Sequence, residues 1–93
     1  MYYLYVLHST DEDAVFYIGS TNDLKRRFDE HNTGRNISTK NRKWKLVYYE
    51  AYLSMASARE RERKLKKHGR VKQLLLKRIE ESLIPQNNEP TSK

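Results

Sequence analysis

The sequence predicts a small α/β (α+β) domain, a three-stranded antiparallel sheet flanked by helices in the order β-β-α-β-α-α. Segments 2–8, 15–19 and 46–53 are rich in aromatic and β-branched residues, which is typical of strands. The segments between and after them repeat apolar residues with the three- and four-residue spacing of amphipathic helices. A chain of 93 residues can bury one modest core, so we expect a single domain over residues 1–83.

The first two strands are expected to pair as an antiparallel hairpin. Successive residues of the first strand point to opposite faces, so Leu4 and Tyr5 serve different sides of the sheet. The polar link at 8–13 is acidic and rich in turn-forming residues. The hairpin should therefore bring Tyr5 close to Tyr17.

The second strand is expected to pass through a tight turn at Gly19 into the first helix. Glycine can adopt backbone angles that other residues avoid. Thr21 or Asn22 can cap the helix, which is predicted over about 22–31. Gly34 follows the helix and is expected to take a positive φ.

The inward face of this first helix carries two polar residues. Four residues at positions i, i+3, i+4 and i+7 form that face: Leu24, Arg27, Phe28 and His31. An inward arginine and histidine are either paired with structural partners or aimed at a group on the sheet. The nearest such group is Tyr17.

The segment from Arg35 to Lys45 carries five basic residues and no acidic one, and it is predicted to be a surface loop. One interpretation is a solvated connection. The other is a phosphate-binding loop, because uncompensated positive charge favours contact with a nucleic-acid backbone. The predicted phosphate contacts are Arg35, Lys40, Arg42 and Lys43.

Ser54 is expected to begin the second helix, which should end near His68. Its inward stripe is predicted to contain Met55, Ala58, Glu62 and Leu65, which places Glu62 inside and Glu60 outside. The remaining cations of this helix are interpreted mainly as a solvated face: Arg59, Arg61, Arg63, Lys64 and Lys67.

The third helix is predicted to continue to about Leu83. Its buried residues should be Val71, Leu74, Leu75 and Ile79, at helical spacing. The polar segment 84–93, which contains two prolines, is expected to be a disordered tail.

The formal net charge of +7 indicates a polyanionic partner, with nucleic acid first and an anionic membrane surface second. The absence of cysteine excludes disulfides and thiolate metal sites, so any metal must be held by oxygen or histidine. No leader segment and no apolar run of spanning length is present. We therefore expect a cytoplasmic protein that is not in the membrane.

Four inward polar groups from separate elements form the candidate site: Tyr17, Arg27, His31 and Glu62, with Tyr5 as a fifth member. Each taken alone has a structural interpretation, such as a packed ring or a buried ion pair. Taken together they offer a carboxylate for a hard cation, an arginine for phosphoryl charge, and phenol or imidazole for proton transfer.

These residues also resemble the GIY-YIG nuclease superfamily, in particular its small single-domain, UPF0213-like members that are similar to the N-terminal domain of the excinuclease C subunit. The second half of the motif is present as Tyr17-Ile18-Gly19. The first half is Tyr3-Leu4-Tyr5, which keeps the final tyrosine and lacks the glycine and isoleucine. The essential arginine of the family, ten residues after Tyr17, falls on Arg27, and the tyrosine or histidine four residues further on falls on His31.

The metal-binding glutamate of the family lies in an Ala-x-x-Arg-Glu-x-x-Leu-Lys pattern, which begins here at Ala58 and assigns the role to Glu62. A register slip to Glu60 stays open, because the pair Arg-Glu occurs twice in succession. Lys66 closes the pattern and is added to the predicted nucleic-acid contacts.

The resemblance implies hydrolysis of DNA phosphodiesters with Mg²⁺ (or Mn²⁺) held by Glu62, in DNA repair or recombination. Arg27 would stabilise phosphoryl charge, and Tyr17 would orient or deprotonate the attacking water with Tyr5 and His31 in support. Water positioning by Tyr17, with His31 as the proton acceptor, is the alternative.

Two other functions stay open at this point. The chain could be a nucleic-acid-binding module that cleaves little without a partner protein to supply specificity. It could also be an interaction protein whose basic helices dock an acidic partner. The inward positions of Arg27 and Glu62 favour the nuclease, because a pure binding module has no use for them there.

Overall fold

The computed structural model of the chain describes residues 1–34 and 39–83, and it has the predicted order of elements. These are β1 (Tyr2–Ser9), β2 (Phe16–Thr21), α1 (Leu24–Asn32), β3 (Trp44–Tyr52), α2 (Met55–Lys67) and α3 (Gly69–Leu83). Within the described ranges, no helix is long and apolar enough to cross a membrane. The predicted tail 84–93 and the predicted phosphate contact Arg35 lie outside the described residues.

The sheet has the strand order β2-β1-β3, with both neighbouring pairs antiparallel. In the hairpin, Tyr5 lies opposite Gly19 and Leu7 lies opposite Tyr17. On the other side of β1, the pairing with β3 shifts between Val6 and Leu7. The central strand is thus paired on both sides, while β2 forms an edge of the sheet next to the candidate site.

The two faces of the sheet carry two separate hydrophobic clusters, because β1 sends alternate residues to opposite sides. The larger cluster unites the sheet with α2 and α3 and has as its buried members Leu4, Val6, Ile18, Leu65, Leu75 and Ile79. The smaller cluster lies on the α1 side, with Tyr5, Leu7 and Trp44 buried and Phe28 packed against them. The catalytic candidates on β1 and β2 belong to this smaller cluster.

The inward stripe of α2 is confirmed at Ala58 and Leu65 but is wrong at Met55, which is 41% exposed. The predicted stripe of α3 is wrong in its first half. Leu75 and Ile79 are buried, whereas Val71 is 40% exposed and Leu74 is 59% exposed. Leu74 is turned by about 100° from Leu75 around the helix axis. Val71 lies in the first turn of α3. The face that packs on the sheet runs through later turns, where Leu76 and Leu83 join the buried residues.

Arg61 is not part of a solvated face, contrary to the expectation. Its Nε and Nη2 donate to the Glu50 carboxylate on β3 at 2.9 and 3.0 Å, and the hydroxyls of Tyr48 and Tyr52 donate to the same group. Burial favours the neutral carboxyl, but the hydrogen bonds from Arg61 and Tyr48 outweigh it and hold the pKa of Glu50 below its usual value. This partly buried ion pair holds α2 against the sheet.

The turn into α1 comes later than predicted. β2 continues through Gly19 to Thr21, and the cap is Asp23, whose side chain accepts from the Arg26 backbone N at 3.0 Å. Thr21, two residues before this cap, also supports the turn, because its Oγ1 accepts a hydrogen bond from the Asp23 backbone N. Gly34 has a φ of 78°, as expected, whereas Gly19 lies within β2 and is not a positive-φ residue.

Gly19 is required for space. A Cβ atom at this position would lie 2.5 Å from Tyr5 Oη and 2.7 Å from Tyr5 Cζ, well inside van der Waals contact. Tyr5 is the residue directly opposite Gly19 in the hairpin. The missing side chain therefore makes room for the Tyr5 ring.

Gly19→Ala is expected to lower the free energy of unfolding by about 1–3 kcal/mol, because the buried Tyr5 ring must move. Urea denaturation followed by circular dichroism measures the change. Gly69→Ala is the matched control, since nothing lies within 4 Å of a Cβ there. Equal stability of the two variants would contradict the steric role of Gly19.

Candidate active site

Three ring side chains from three elements meet on the α1 side of the sheet, as the sequence predicts. The ring centroid of Tyr17 lies 6.4 Å from that of Tyr5 and 4.8 Å from that of His31. Tyr5 and His31 are themselves 5.8 Å apart. The hairpin delivers the two tyrosines, and the helical stripe of α1 delivers the histidine.

A chain of hydrogen bonds runs through this cluster. Arg27 Nε donates to Tyr5 Oη at 3.4 Å, and Tyr5 Oη is 2.8 Å from His31 Nε2. On the far side of the ring, His31 Nδ1 is 2.7 Å from Thr39 Oγ1. Both ring nitrogens of the fully buried His31 are thus occupied. No periodic pattern singles out Thr39, which lies outside the predicted strands and helices.

Burial and charge set the protonation of the cluster. Burial raises the pKa of Tyr5 to about 12, although the hydrogen bond from Arg27 opposes this. Burial, together with the positive charge of Arg27, lowers the pKa of His31 from its usual 6.5 to about 4. Near neutral pH, His31 and Tyr5 are neutral and Arg27 carries the positive charge.

The low pKa of His31 makes folding sensitive to mild acid. The unfolded chain binds a proton at this histidine below pH 6.5 and the folded protein only near pH 4, so stability falls as the pH falls through this window. Between pH 7.5 and 5 we expect a loss of about 2 kcal/mol from this group. Urea denaturation of wild type and His31→Gln at both pH values measures it. A loss of the same size in the variant would refute the assignment to His31.

Tyr17 is half-buried on the edge strand β2. Its ring packs edge-on against Trp44, and the Lys66 ammonium lies 5.9 Å from the ring centroid. Within residues 1–34 and 39–83, the Tyr17 hydroxyl makes no hydrogen bond to another residue. Among the described residues, this leaves the hydroxyl available for a water or a substrate oxygen.

Glu62 is placed beside Ser20 at the end of β2. Ser20 Oγ donates to Glu62 Oε1 at 2.6 Å, and Lys66 Nζ donates to Glu62 Oε2 at 2.6 Å. Glu60, the other possible register, points outward and pairs with Arg63 on the exposed side of α2. The two glutamates therefore differ in surroundings, and Glu62 alone of the pair faces the sheet.

An open groove of about 340 Å³ joins the two parts of the candidate site. Arg27 lines it from α1, and Ser20, the partner of Glu62, lines it from β2. Further lining residues come from β1, α1 and α2 and include Tyr2, Arg26, Met55 and Arg59. Three arginines and one acidic residue, Glu30, line this concave surface, so its net positive charge suits a phosphate-bearing ligand.

The predicted phosphate contacts have mixed surroundings. Arg42 donates to Asp11 at 2.7 Å and to Asp13 at 3.1 Å, so its charge is compensated by the β1–β2 turn. Lys40 and Lys43 are exposed, while Lys66 is paired with Glu62. The groove instead carries Arg26 and Arg59, which the spacing of residues did not single out as contacts.

The donor set around Glu62 suits a hard cation that keeps most of its own ligands. Among the described residues, no three His, Cys, Asp or Glu side chains are grouped to enclose a metal. Mg²⁺ is commonly bound through one or two carboxylates, with waters and substrate phosphates as the remaining ligands. Glu62 fits this mode once Lys66, which is half exposed, turns aside.

Comparison with known proteins gives consistent matches. A family model described as the GIY-YIG catalytic domain matches residues 1–74, which include every candidate site residue. The chain is 38% identical over 78 residues to a UPF0213 protein of Clostridium perfringens, with 82% of each chain covered. It is 37% identical over 70 residues to a UPF0213 protein of Streptococcus agalactiae, covering 73% of this chain and 77% of that relative. The solution NMR structure of a UPF0213 protein from Bacillus halodurans is 28% identical, covers 81% of this chain and 83% of its own, and has a TM-score of 0.48.

Proposed function

Because the chain belongs to the GIY-YIG family, a superfamily of nucleases, we propose that it is a divalent-metal-dependent endonuclease that hydrolyses phosphodiester bonds in DNA. The observation that carries this proposal is the shared groove, in which Arg27 and the Ser20 partner of Glu62 line one concave surface. A binding module would need the basic surface alone. A hydrolase needs a metal-binding carboxylate and an arginine at the same phosphate.

In this proposal Arg27 stabilises the negative charge that develops on the scissile phosphate. The hydrogen bonds to Tyr5 and to Glu30, the latter at 3.0 Å, hold the guanidinium in place before the substrate arrives. Glu62 is the residue that would hold Mg²⁺ or Mn²⁺. Such an ion supplies Lewis acidity toward the phosphate and the departing 3′ oxygen.

Tyr17 is the proposed contact for the attacking water, since its hydroxyl has no hydrogen-bond partner among the described residues. His31 is less suited to accept a proton from that water directly. Both of its ring nitrogens are in hydrogen bonds, and its side chain is fully buried. We therefore assign His31 and Tyr5 the task of positioning Arg27.

Arg26 and Arg59 are the proposed contacts for the phosphates that flank the scissile one. Both side chains are exposed, and both line the groove. Arg59 makes no ion pair with any other described residue, so its charge is available to a ligand. Lys66, Lys40 and Lys43 can add to this contact when a long substrate leaves the groove.

The test is cleavage of labelled single-stranded, duplex, flap and branched DNAs with Mg²⁺ or Mn²⁺, with and without chelator. Metal-dependent products from at least one substrate are expected. Salt-sensitive DNA binding without cleavage would instead indicate a binding module or an enzyme that requires a partner protein. If the protein neither binds nor cleaves DNA, an interaction with an acidic protein partner becomes the better hypothesis. A role in DNA repair or recombination is proposed from the family resemblance, and a cytoplasmic location from a sequence without an apolar run of spanning length.

A further inference from the structure

Thr39 is a fully buried polar residue in a segment whose composition predicts a solvated loop. Its side chain and its backbone are both anchored. The hydroxyl lies 2.7 Å from His31 Nδ1, and the carbonyl accepts from Trp44 Nε1 at 3.1 Å. Buried polar groups persist where they are hydrogen-bonded, so this position is built into the small cluster.

The neighbours of Tyr5 indicate which ring nitrogen of His31 carries the proton. Arg27 can only donate, so it cannot receive the Tyr5 hydroxyl proton. Among the described contacts of Tyr5 Oη, His31 Nε2 is the acceptor for that proton. A neutral histidine that accepts at Nε2 carries its own proton at Nδ1, and that proton is donated to Thr39 Oγ1.

We infer that Thr39 is a positioning residue that fixes His31 in the Nδ1–H tautomer and thereby orients Tyr5 toward Arg27. This inference rests on the proposed function, in which Arg27 contacts the scissile phosphate. With the proton at Nδ1, the Tyr5 oxygen donates to the histidine and keeps its lone pairs for the guanidinium. With the proton at Nε2, the Tyr5 proton would lose its acceptor and turn toward the Arg27 cation.

Thr39 also ties the basic segment to the catalytic candidates. It lies between residues 35–38 and the exposed Lys40, and its contacts reach β3 through Trp44 and α1 through His31. Thr39 is thus connected to Arg27 through two hydrogen-bonded side chains, His31 and Tyr5.

The test compares Thr39→Val, which keeps the shape and removes the hydroxyl, with Thr39→Ser, which keeps the hydroxyl. Nitrogen-15 NMR of the His31 ring distinguishes the two tautomers. We expect the Nδ1–H tautomer in wild type and Thr39→Ser, and its loss in Thr39→Val. In DNA cleavage, Thr39→Val should lower kcat about 10- to 100-fold with KM changed little, since a small misplacement of a catalytic group has effects of this order. Thr39→Ser should restore most of the rate.

An unchanged tautomer in Thr39→Val, or an Nε2–H tautomer in the wild type, would overturn the inference. The wild-type spectrum decides even if Thr39→Val fails to fold. Equal loss of rate in the valine and serine variants would also overturn it, because only the valine removes the hydroxyl. If the wild type cleaves no DNA, the proposed function fails, while the ring spectra still decide whether Thr39 sets the tautomer.

Discussion

Glu62→Gln is expected to abolish metal-dependent DNA cleavage, with a fall in kcat of at least about 10³-fold. The substitution keeps the size of the side chain and can still accept from Ser20, but it removes the charge that a divalent cation requires. Initial rates at saturating substrate, over a titration of Mg²⁺ and Mn²⁺, measure the effect.

Glu60→Gln is the matched control, because it makes the same chemical change two residues earlier on the same helix. Glu60 pairs with Arg63 on the exposed face of α2, and its loss should leave the rate within about twofold. Both variants must show the wild-type circular dichroism spectrum. A larger loss of kcat in Glu60→Gln than in Glu62→Gln would assign the metal site to Glu60 and refute the role given to Glu62.

Arg27→Lys is expected to lower kcat about 10²- to 10³-fold, although the positive charge is kept. The guanidinium donates to Tyr5 and to Glu30 through different nitrogens, and a lysine ammonium cannot reproduce this planar arrangement. Loss of one preoriented donor to the reacting group costs a factor of this size in other hydrolases. Single-turnover rates separate the effect from substrate binding.

Arg63→Lys provides the control for this experiment. Arg63 forms an ion pair with a glutamate three residues away, as Arg27 does, but on the exposed side of α2. Its replacement should change the rate by less than about twofold. A rate for Arg27→Lys close to that of Arg63→Lys would contradict a catalytic role for the guanidinium.

Much of the fold and part of the candidate site could be predicted from local periodicity. Alternation in β1 places Tyr5 and Leu4 on opposite faces, and the structure has them in different clusters. The helical stripe of α1 selects Arg27 and His31, which the structure brings to Tyr5. These predictions succeed because each depends on residues close together in the sequence and on one repeating angle.

Contacts between distant segments could not be predicted in this way. The pair Arg61–Glu50 joins residues 11 apart, and Arg42 reaches Asp11 from 31 residues away. Arg61 is expected on a solvated face and Arg42 at a phosphate, but each pairs with a carboxylate on another segment of the chain. Thr39 was missed for a related reason, since its contact with His31 depends on the folded chain and not on a local repeat.

The two faces of β1 belong to two different clusters, so the register of this strand affects both folding and activity. A shift of this strand by one residue would turn Tyr5 into the cluster under α2 and α3 and move Leu4 and Val6 into the aromatic cluster on the α1 side. Each side chain placed in a cluster shaped for another costs about 1–3 kcal/mol through mispacking. A misregistered strand thus loses the main core together with the aromatic cluster. Chains with such an error should unfold and be open to proteolysis, and they should not accumulate as folded but inactive protein.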